Sequence, residues 1–197
     1  MSSSVTTSRR QSSSTVNLAL VATFAAFIAV LSVSAALPFG VNGVPVTLQM
    51  FGVFLAGAVL GAKRGFLAVL LYLAVGAAGI PVFAGGTGGL GPFSGPSGGY
   101  LIAFPFAAAI VGLVAELFHR RNLAVTAVVV GVGGVIADLF VWVVGSIGIA
   151  LYADTPFGPT LKSAAAYIPA DLAKLVVAAI VAAAVHRAFP ALLARRG

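Results

Sequence analysis

The sequence predicts an all-α membrane protein with six transmembrane helices and both termini on the cytoplasmic side. Three observations predict it. Hydrophobic residues make up 60% of the 197 positions and charged residues only 8%, a balance that belongs to membrane proteins rather than soluble domains. The apolar residues fall into runs of membrane-spanning length, about 20 residues each in a typical bilayer. The basic residues cluster between those runs, on alternate sides.

The first run, Asn17 to Leu37, is stopped by Pro38. Residues 1–16 before it are rich in Ser and Thr, carry Arg9 and Arg10, and read as a disordered tail. A cleaved signal peptide is the alternative, disfavoured because the apolar run is long for a signal core and further apolar runs follow. An uncharged loop leads to a short second span, about Val46 to Ala62, ending at Lys63-Arg64. The third, about Gly65 to Ile80, is also short. These two could form a re-entrant pair, but the basic dipeptide between them makes two crossings the more natural reading.

Pro81 to Tyr100 reads P-V-F-A-G-G-T-G-G-L-G-P-F-S-G-P-S-G-G-Y, with eight glycines and no charge. A disordered linker would be polar and charged, whereas this segment carries Val82, Phe83, Leu90 and Phe93. Glycine lets backbone approach a ligand closely, so the segment reads as a lid or binding loop. The fourth span covers Gly99 to Phe118 and ends at His119-Arg120-Arg121; the fifth runs from Leu123 to about Leu151. A loop, Y-A-D-T-P-F-G-P-T, precedes the sixth, about Leu161 to His186, and residues 189–197 form a basic tail. The membrane domain is thus residues 17–188.

With the N-terminus inside, the cytoplasmic side holds Arg9, Arg10, Lys63, Arg64, Arg120, Arg121, Arg187, Arg195 and Arg196, and the outer loops hold only Lys162. This strong positive-inside bias puts the glycine-rich loop outside. It also accounts for the net charge of +7 without a nucleic-acid partner. No cysteine is present, which excludes disulfides, iron–sulfur clusters and thiolate zinc. His119 and His186 lie at cytoplasmic helix ends, so no metal or other cofactor is expected. There is no P-loop, no H-E-x-x-H, and no serine accompanied by a histidine at matching depth, so catalysis has few residues to run on.

Ionisable residues inside spans cost about 2.5–3.5 kcal/mol each on insertion scales and call for a reason. Glu116 is explained by an i, i+4 pair with Arg120. Asp138 in the fifth span, and Asp171 and Lys174 in the sixth, are not so simply explained. Asp171 and Lys174 stand three apart and share a face, and Tyr167 extends that stripe outward. At about 1.5 Å per residue from Leu161, the pair lies roughly 15–20 Å along the helix. Pro169 in this stretch removes a backbone donor and is expected to bend the helix. The pair is either internal glue or part of a polar pocket for a small molecule with N–H groups and a carboxylate. Asp138 either faces the same pocket or neutralises Lys174. Trp142 and Tyr152 read as packing or interfacial anchors. Ala22-x-x-x-Ala26, Ala25-x-x-x-Ala29 and Gly57-x-x-x-Gly61 carry small-residue spacing, for which internal packing is the simpler reading.

Three segments resemble the BioY family, the biotin-specific S components of energy-coupling factor (ECF) transporters. They are V-P-V-T-L-Q-M-F-G-V-F-L-A-G from Val44 with its basic turn, the glycine-rich loop continuing into L-I-A-F-P, and Y-I-P-A-D-L-A-K from Tyr167 to Lys174. The resemblance implies the ECF S-component fold in a prokaryotic plasma membrane, with biotin captured from outside beneath extracellular loops. It implies that Asp171 accepts the ureido N–H groups and Lys174 holds the valerate carboxylate. Tyr167, Tyr100 and Phe83 would supply apolar walls, and Thr87 a hydrogen bond to the ureido group. It further implies that Ala22, Ala25, Ala26 and Ala29 contact a coupling subunit, with separate ATPases driving transport. Self-association into a homo-oligomer stays open. The alternatives are capture of another small vitamin-like carboxylate, a structural membrane subunit, and, last, an intramembrane enzyme.

Overall fold

The computed structural model describes residues 3–34, 41–118 and 122–189, with side chains described from residue 14 onward except at position 41. Among these residues the chain is helical, with no strand and only isolated bridge residues, Phe83 and Thr87 pairing with each other. In chain order the helices are α1 (Ser3–Ser34), α2 (Gln49–Leu60), α3 (Ala62–Ala77), α4 (Gly98–Leu117), α5 (Leu123–Ala153), α6 (Phe157–Ala164) and α7 (Ile168–Ala188). Short 3₁₀ turns occupy 41–43, 84–86, 91–93 and 165–167.

Four helical stretches are long and apolar enough to cross a membrane: Ser14–Ser34, Gly98–Leu117, Leu123–Ala153 and Phe157–Ala188. The last is α6 and α7 joined through a 3₁₀ turn just ahead of Pro169. That proline takes the first turn of α7, where its missing N–H costs nothing. The break therefore falls ahead of the proline, which begins the new helix. At the N-terminus, α1 continues outward from the apolar span to Ser3, through the Ser/Thr-rich segment expected to be disordered. Extending a formed helix costs far less than nucleating one. Pro38, His119 to Arg121 and residues 190–197, including Arg195 and Arg196, lie outside the described residues.

α2 and α3 form a tight antiparallel hairpin turned by one residue, Gly61, at φ 84° and ψ 175°. That positive φ is open to glycine at little cost. Gly65 abuts Gly57 across the hairpin, and Gln49 reaches Tyr72 at its open end. Hence Lys63 and Arg64 lie at the closed end. Arg64 Nε donates to the Leu60 carbonyl at 2.8 Å, and Glu116 Oε1 accepts the Ala62 N–H at 3.0 Å. The partner found for Glu116 is thus the amino end of α3, a favourable place for an anion; Arg120 lies outside the described residues.

Beyond Gln49, α2 is apolar all round, and eleven of its twelve residues are buried, as expected of a central helix. α1, α3, α4 and α7 all pack against it. Gly57 lets the α4 backbone at Ala108 approach closely, since a Cβ there would run into the Ala108 carbonyl. Gly57 thus serves internal packing. α4 and α5 form the most extensive helix pair, with Gly99 near the start of α4 against Gly148 near the end of α5. Asn122 caps α5, its Oδ1 accepting the N–H groups of Ala124 and Val125 at 2.9 and 3.2 Å.

Candidate functional site

The site follows from the shortness of α2. Twelve residues rise only about 18 Å against a hydrocarbon core of roughly 30 Å. Above its amino end the bundle leaves a cavity of about 290 Å³, at the lower edge of the roughly 300–1,000 Å³ usual for ligand pockets. The first turn of α2 forms part of the wall through Gln49 and Met50, α4 contributes Tyr100, Leu101 and Phe104, α5 Val141, and α7 Asp171 and Lys174. Two loops roof it: residues 43–47, and the glycine-rich segment through Phe83, Ala84, Thr87, Gly91, Pro92 and residues 95–97.

Lys174 Nζ donates to Asp171 Oδ1 at 2.7 Å, with side chains 12% and 18% exposed. The pair is therefore closed on itself in the wall. Each group keeps further capacity: a lysine ammonium has three donors, and an ionised carboxylate about four acceptor positions. The arrangement presents one cation and one multi-site acceptor side by side within largely apolar walls.

Tyr167, at the end of the 3₁₀ turn, donates its hydroxyl to the Val44 carbonyl at 2.7 Å and meets Tyr100 edge-on at 6.1 Å between ring centroids. It thereby ties the first roof loop to α7. Asn42 Nδ2 donates to Ser163 Oγ at 2.7 Å and adds a second tie. Tyr100 is 9% exposed; its ring fills the notch left by Gly145 on α5. Its hydroxyl is buried beside that of Ser146, which donates to the Trp142 carbonyl at 2.6 Å and keeps oxygen lone pairs to accept the Tyr100 proton.

Phe83 is 2% exposed, wedged into the notch at Gly76 and edge-on to both Tyr72 and Phe93. The glycine-rich loop is thus pinned by one aromatic plug, and the Gly89 N–H adds a bond to the Gly76 carbonyl at 2.8 Å. Thr87 is exposed and lines the cavity, but its hydroxyl donates to the Ala84 carbonyl at 3.1 Å. Only its oxygen lone pairs remain for a ligand. Six of the seven expected binding residues (Asp171, Lys174, Tyr167, Thr87, Tyr100 and Phe83) line one cavity.

The seventh, Asp138, is placed differently. It is 5% exposed, one turn below Val141 on α5, and outside the cavity wall. Asp171 and Lys174 are within electrostatic range of it. The four alanines of α1 also divide. Ala25 is buried in the core and Ala29 packs partly against it, whereas Ala22 and Ala26 are exposed on one face. His186, expected at a helix end, is buried, with Nε2 2.7 Å from the Ala58 carbonyl. Trp142 donates to the Leu161 carbonyl at 3.1 Å, an anchoring role, and Tyr152 is exposed.

Scanning for charged residues overlooked the uncharged polar groups. Ser32, Gln49 and Tyr72 form a closed buried ring joining α1, α2 and α3. A search for any polar side chain within an apolar run would have found Ser32 and Gln49. The first roof loop, with Val44 and Thr47, was legible only as a connection.

The sequence profile of the BioY family matches residues 4–191. The biotin transporter BioY of Rhodobacter capsulatus is 42% identical over 191 residues, covering 92% of this chain and 98% of the relative. The biotin transporter BioY of Rhizobium etli is 38% identical over 185 residues, covering 92% and 99%. A crystal structure of the S-component for biotin from an ECF-type ABC transporter matches with a TM-score of 0.79 and 32% identity, over 89% of this chain and 93% of that one. A profile spanning nearly the whole chain, full-length relatives and a shared fold agree, and the chain belongs to the BioY family.

Proposed function

We propose that this protein is the biotin-capturing S component of an ECF transporter, a multi-pass membrane protein that takes biotin from outside the cell. The observation that carries the reading is the Asp171–Lys174 pair, held 2.7 Å apart in the wall of a cavity roofed by two loops. Biotin offers two ureido N–H donors to Asp171 and a carboxylate to Lys174. Its bicyclic ring and aliphatic chain suit walls built from Phe83, Tyr100, Leu101, Phe104 and Tyr167. Thr87 Oγ1, its proton already committed to Ala84, serves as an acceptor at the loop. Asp138 acts from behind the wall, as counter-charge to Lys174.

In this reading residues 17–188 form the binding domain, with six crossings and the α2–α3 hairpin supplying the two short ones. Residues 1–16 and the basic tail 189–197 lie in the cytoplasm with Lys63 and Arg64, while the glycine-rich loop, residues 81–98, lies outside. The chain performs no chemistry and carries no cofactor. Separate ATPases and a coupling subunit drive release, the latter meeting α1 on the exposed face of Ala22 and Ala26. Another small carboxylate with N–H donors would meet the same pair, which makes substrate identity the first thing to measure.

The test is equilibrium binding of labelled biotin to the detergent-purified protein beside Asp171→Asn and Lys174→Ala. Saturable wild-type binding is expected, weakened in both variants by on the order of 10- to 1,000-fold, as for the loss of a buried charge-assisted bond. Folded wild-type protein that binds no biotin would sink the reading. Variants that bind as tightly as wild type would make the pair internal glue.

A further inference from the structure

A lipid-embedded bundle gains nothing obvious by burying uncharged polar side chains against one another. Yet Ser32 is 0%, Tyr72 1% and Gln49 4% exposed, and the three close a ring across three helices. Gln49 Nε2 donates to Tyr72 Oη at 3.0 Å, Tyr72 Oη donates to Ser32 Oγ at 3.1 Å, and Ser32 Oγ donates to Gln49 Oε1 at 3.4 Å. Polar groups this deep are costly unless satisfied, and a satisfied network fixes the orientation of its members.

The ring spends its members unequally. Tyr72 and Ser32 each donate their one proton within it. Gln49 starts with two amide N–H groups and two carbonyl lone pairs and uses one of each in the ring. Among the described residues, one N–H and one lone pair of its side chain are left over. Gln49 is also the only ring member in the cavity wall; Ser32 and Tyr72 stand behind it. The ring therefore clamps a primary amide from the rear at the inner end of the cavity. Thr47 Oγ1 accepts the Gln49 backbone N–H at 3.2 Å, which steadies the same residue through its main chain.

We infer that Gln49, clamped by Tyr72 and Ser32, is a ligand-binding and specificity-determining residue, donating its free amide N–H to the oxygen of a cyclic ureido group. The hydrogen-bonded ring occupies the amide edge on which donor and acceptor lie side by side, so the leftover N–H and lone pair point apart and the N–H alone is aimed at the ligand. Asp171 accepts from the ureido N–H groups, so two wall residues together read the donors and the acceptor of the ureido ring. A ligand bearing only a ring and a carboxylate would leave the amide unpaired, which is how a buried polar group rejects an analogue lacking its partner. This inference rests on the biotin reading above.

The test is binding of labelled biotin to wild type, Gln49→Met and Gln49→Glu, with competition by desthiobiotin, which keeps the ureido ring and lacks the thioether. Thermal midpoints of the unliganded proteins are measured beside them. Gln49→Met, similar in size and without amide groups, is expected to weaken biotin and desthiobiotin alike, by on the order of 10- to 100-fold. Gln49→Glu keeps an acceptor for Ser32 and Tyr72 and loses the donor to the ureido oxygen, so it should weaken both ligands as well. Tyr72→Phe and Ser32→Ala leave the amide in place with its clamp cut; they should weaken binding less than Gln49→Met. Affinity within threefold of wild type in folded Gln49→Met overturns the inference, as does a loss for biotin that desthiobiotin escapes. Absence of wild-type biotin binding is a separate outcome and sinks the parent reading instead.

Discussion

At Asp171 and Lys174 an i, i+3 spacing becomes a candidate binding element because the two side chains meet in a cavity wall rather than within a packed core. Asp138, of the same chemical type and similar depth, ends up behind that wall. Helix rotation decides the difference: Asp138 shares its α5 face with Gly134, which α7 covers through Leu175, and lies one turn short of Val141. Its carboxyl makes no hydrogen bond to the described residues. Asp138→Asn removes a counter-charge of Lys174 but no ligand contact, and is therefore expected to alter biotin affinity by less than about tenfold. A loss as deep as that of Asp171→Asn would put Asp138 in contact with the ligand. Tyr100 presents a related case: Tyr100→Phe keeps the aromatic wall and removes only a hydroxyl set beside Ser146, so it should keep biotin binding and cost no more than about 1.5 kcal/mol of stability.

Two elements shape the cavity, the short α2 and the glycine-rich loop. α2 leaves the space, and the loop roofs it. The loop holds through Phe83, which sits in the Gly76 notch against Tyr72. Gly76→Leu would place a branched side chain where that ring sits. It should release residues 81–97, seen as faster proteolysis of the loop in the unliganded protein and weaker biotin binding, with the helical content retained. Phe83→Ala should do the same by removing the plug. Protease resistance equal to wild type in both variants would show that the 3₁₀ turns and the Gly89–Gly76 hydrogen bond suffice to hold the roof. The sequence composition identified this segment as a lid or binding loop, through its apolar residues among glycines, but not its anchor. The partner of Phe83 is an absence of side chain at Gly76, and absences at one position do not announce which distant ring will fill them.

For the whole molecule, sidedness and partner contact are the properties to test. Because the chain has no cysteine, single cysteines report without a background. Leu90→Cys, at a position 70% exposed in the roof, should react with a membrane-impermeant thiol reagent in whole cells, and Lys63→Cys only after lysis. The opposite pattern would invert the topology. Ala22→Trp with Ala26→Trp loads the exposed face of α1 far from the cavity. It should preserve biotin binding while reducing co-purification with a coupling subunit and uptake in cells. Reduced binding would instead place that face in the internal packing.

Membrane class, the number of apolar runs, the sidedness bias, the acid–base pair and the identity of the loop were all determined by the sequence itself. Each depends on residue type and spacing along one segment, where hydropathy, charge and helical periodicity act locally. The tertiary structure alone decided which polar groups face the cavity. It turned Asp138 behind the wall, split the alanines of α1 between core and exterior, and set Glu116 against the amino end of α3. It also closed Ser32, Gln49 and Tyr72 into a ring, from residues up to 40 positions apart. Those outcomes depend on how far each helix rotates and slides against its neighbours, and on side chains that meet only once the chain has folded.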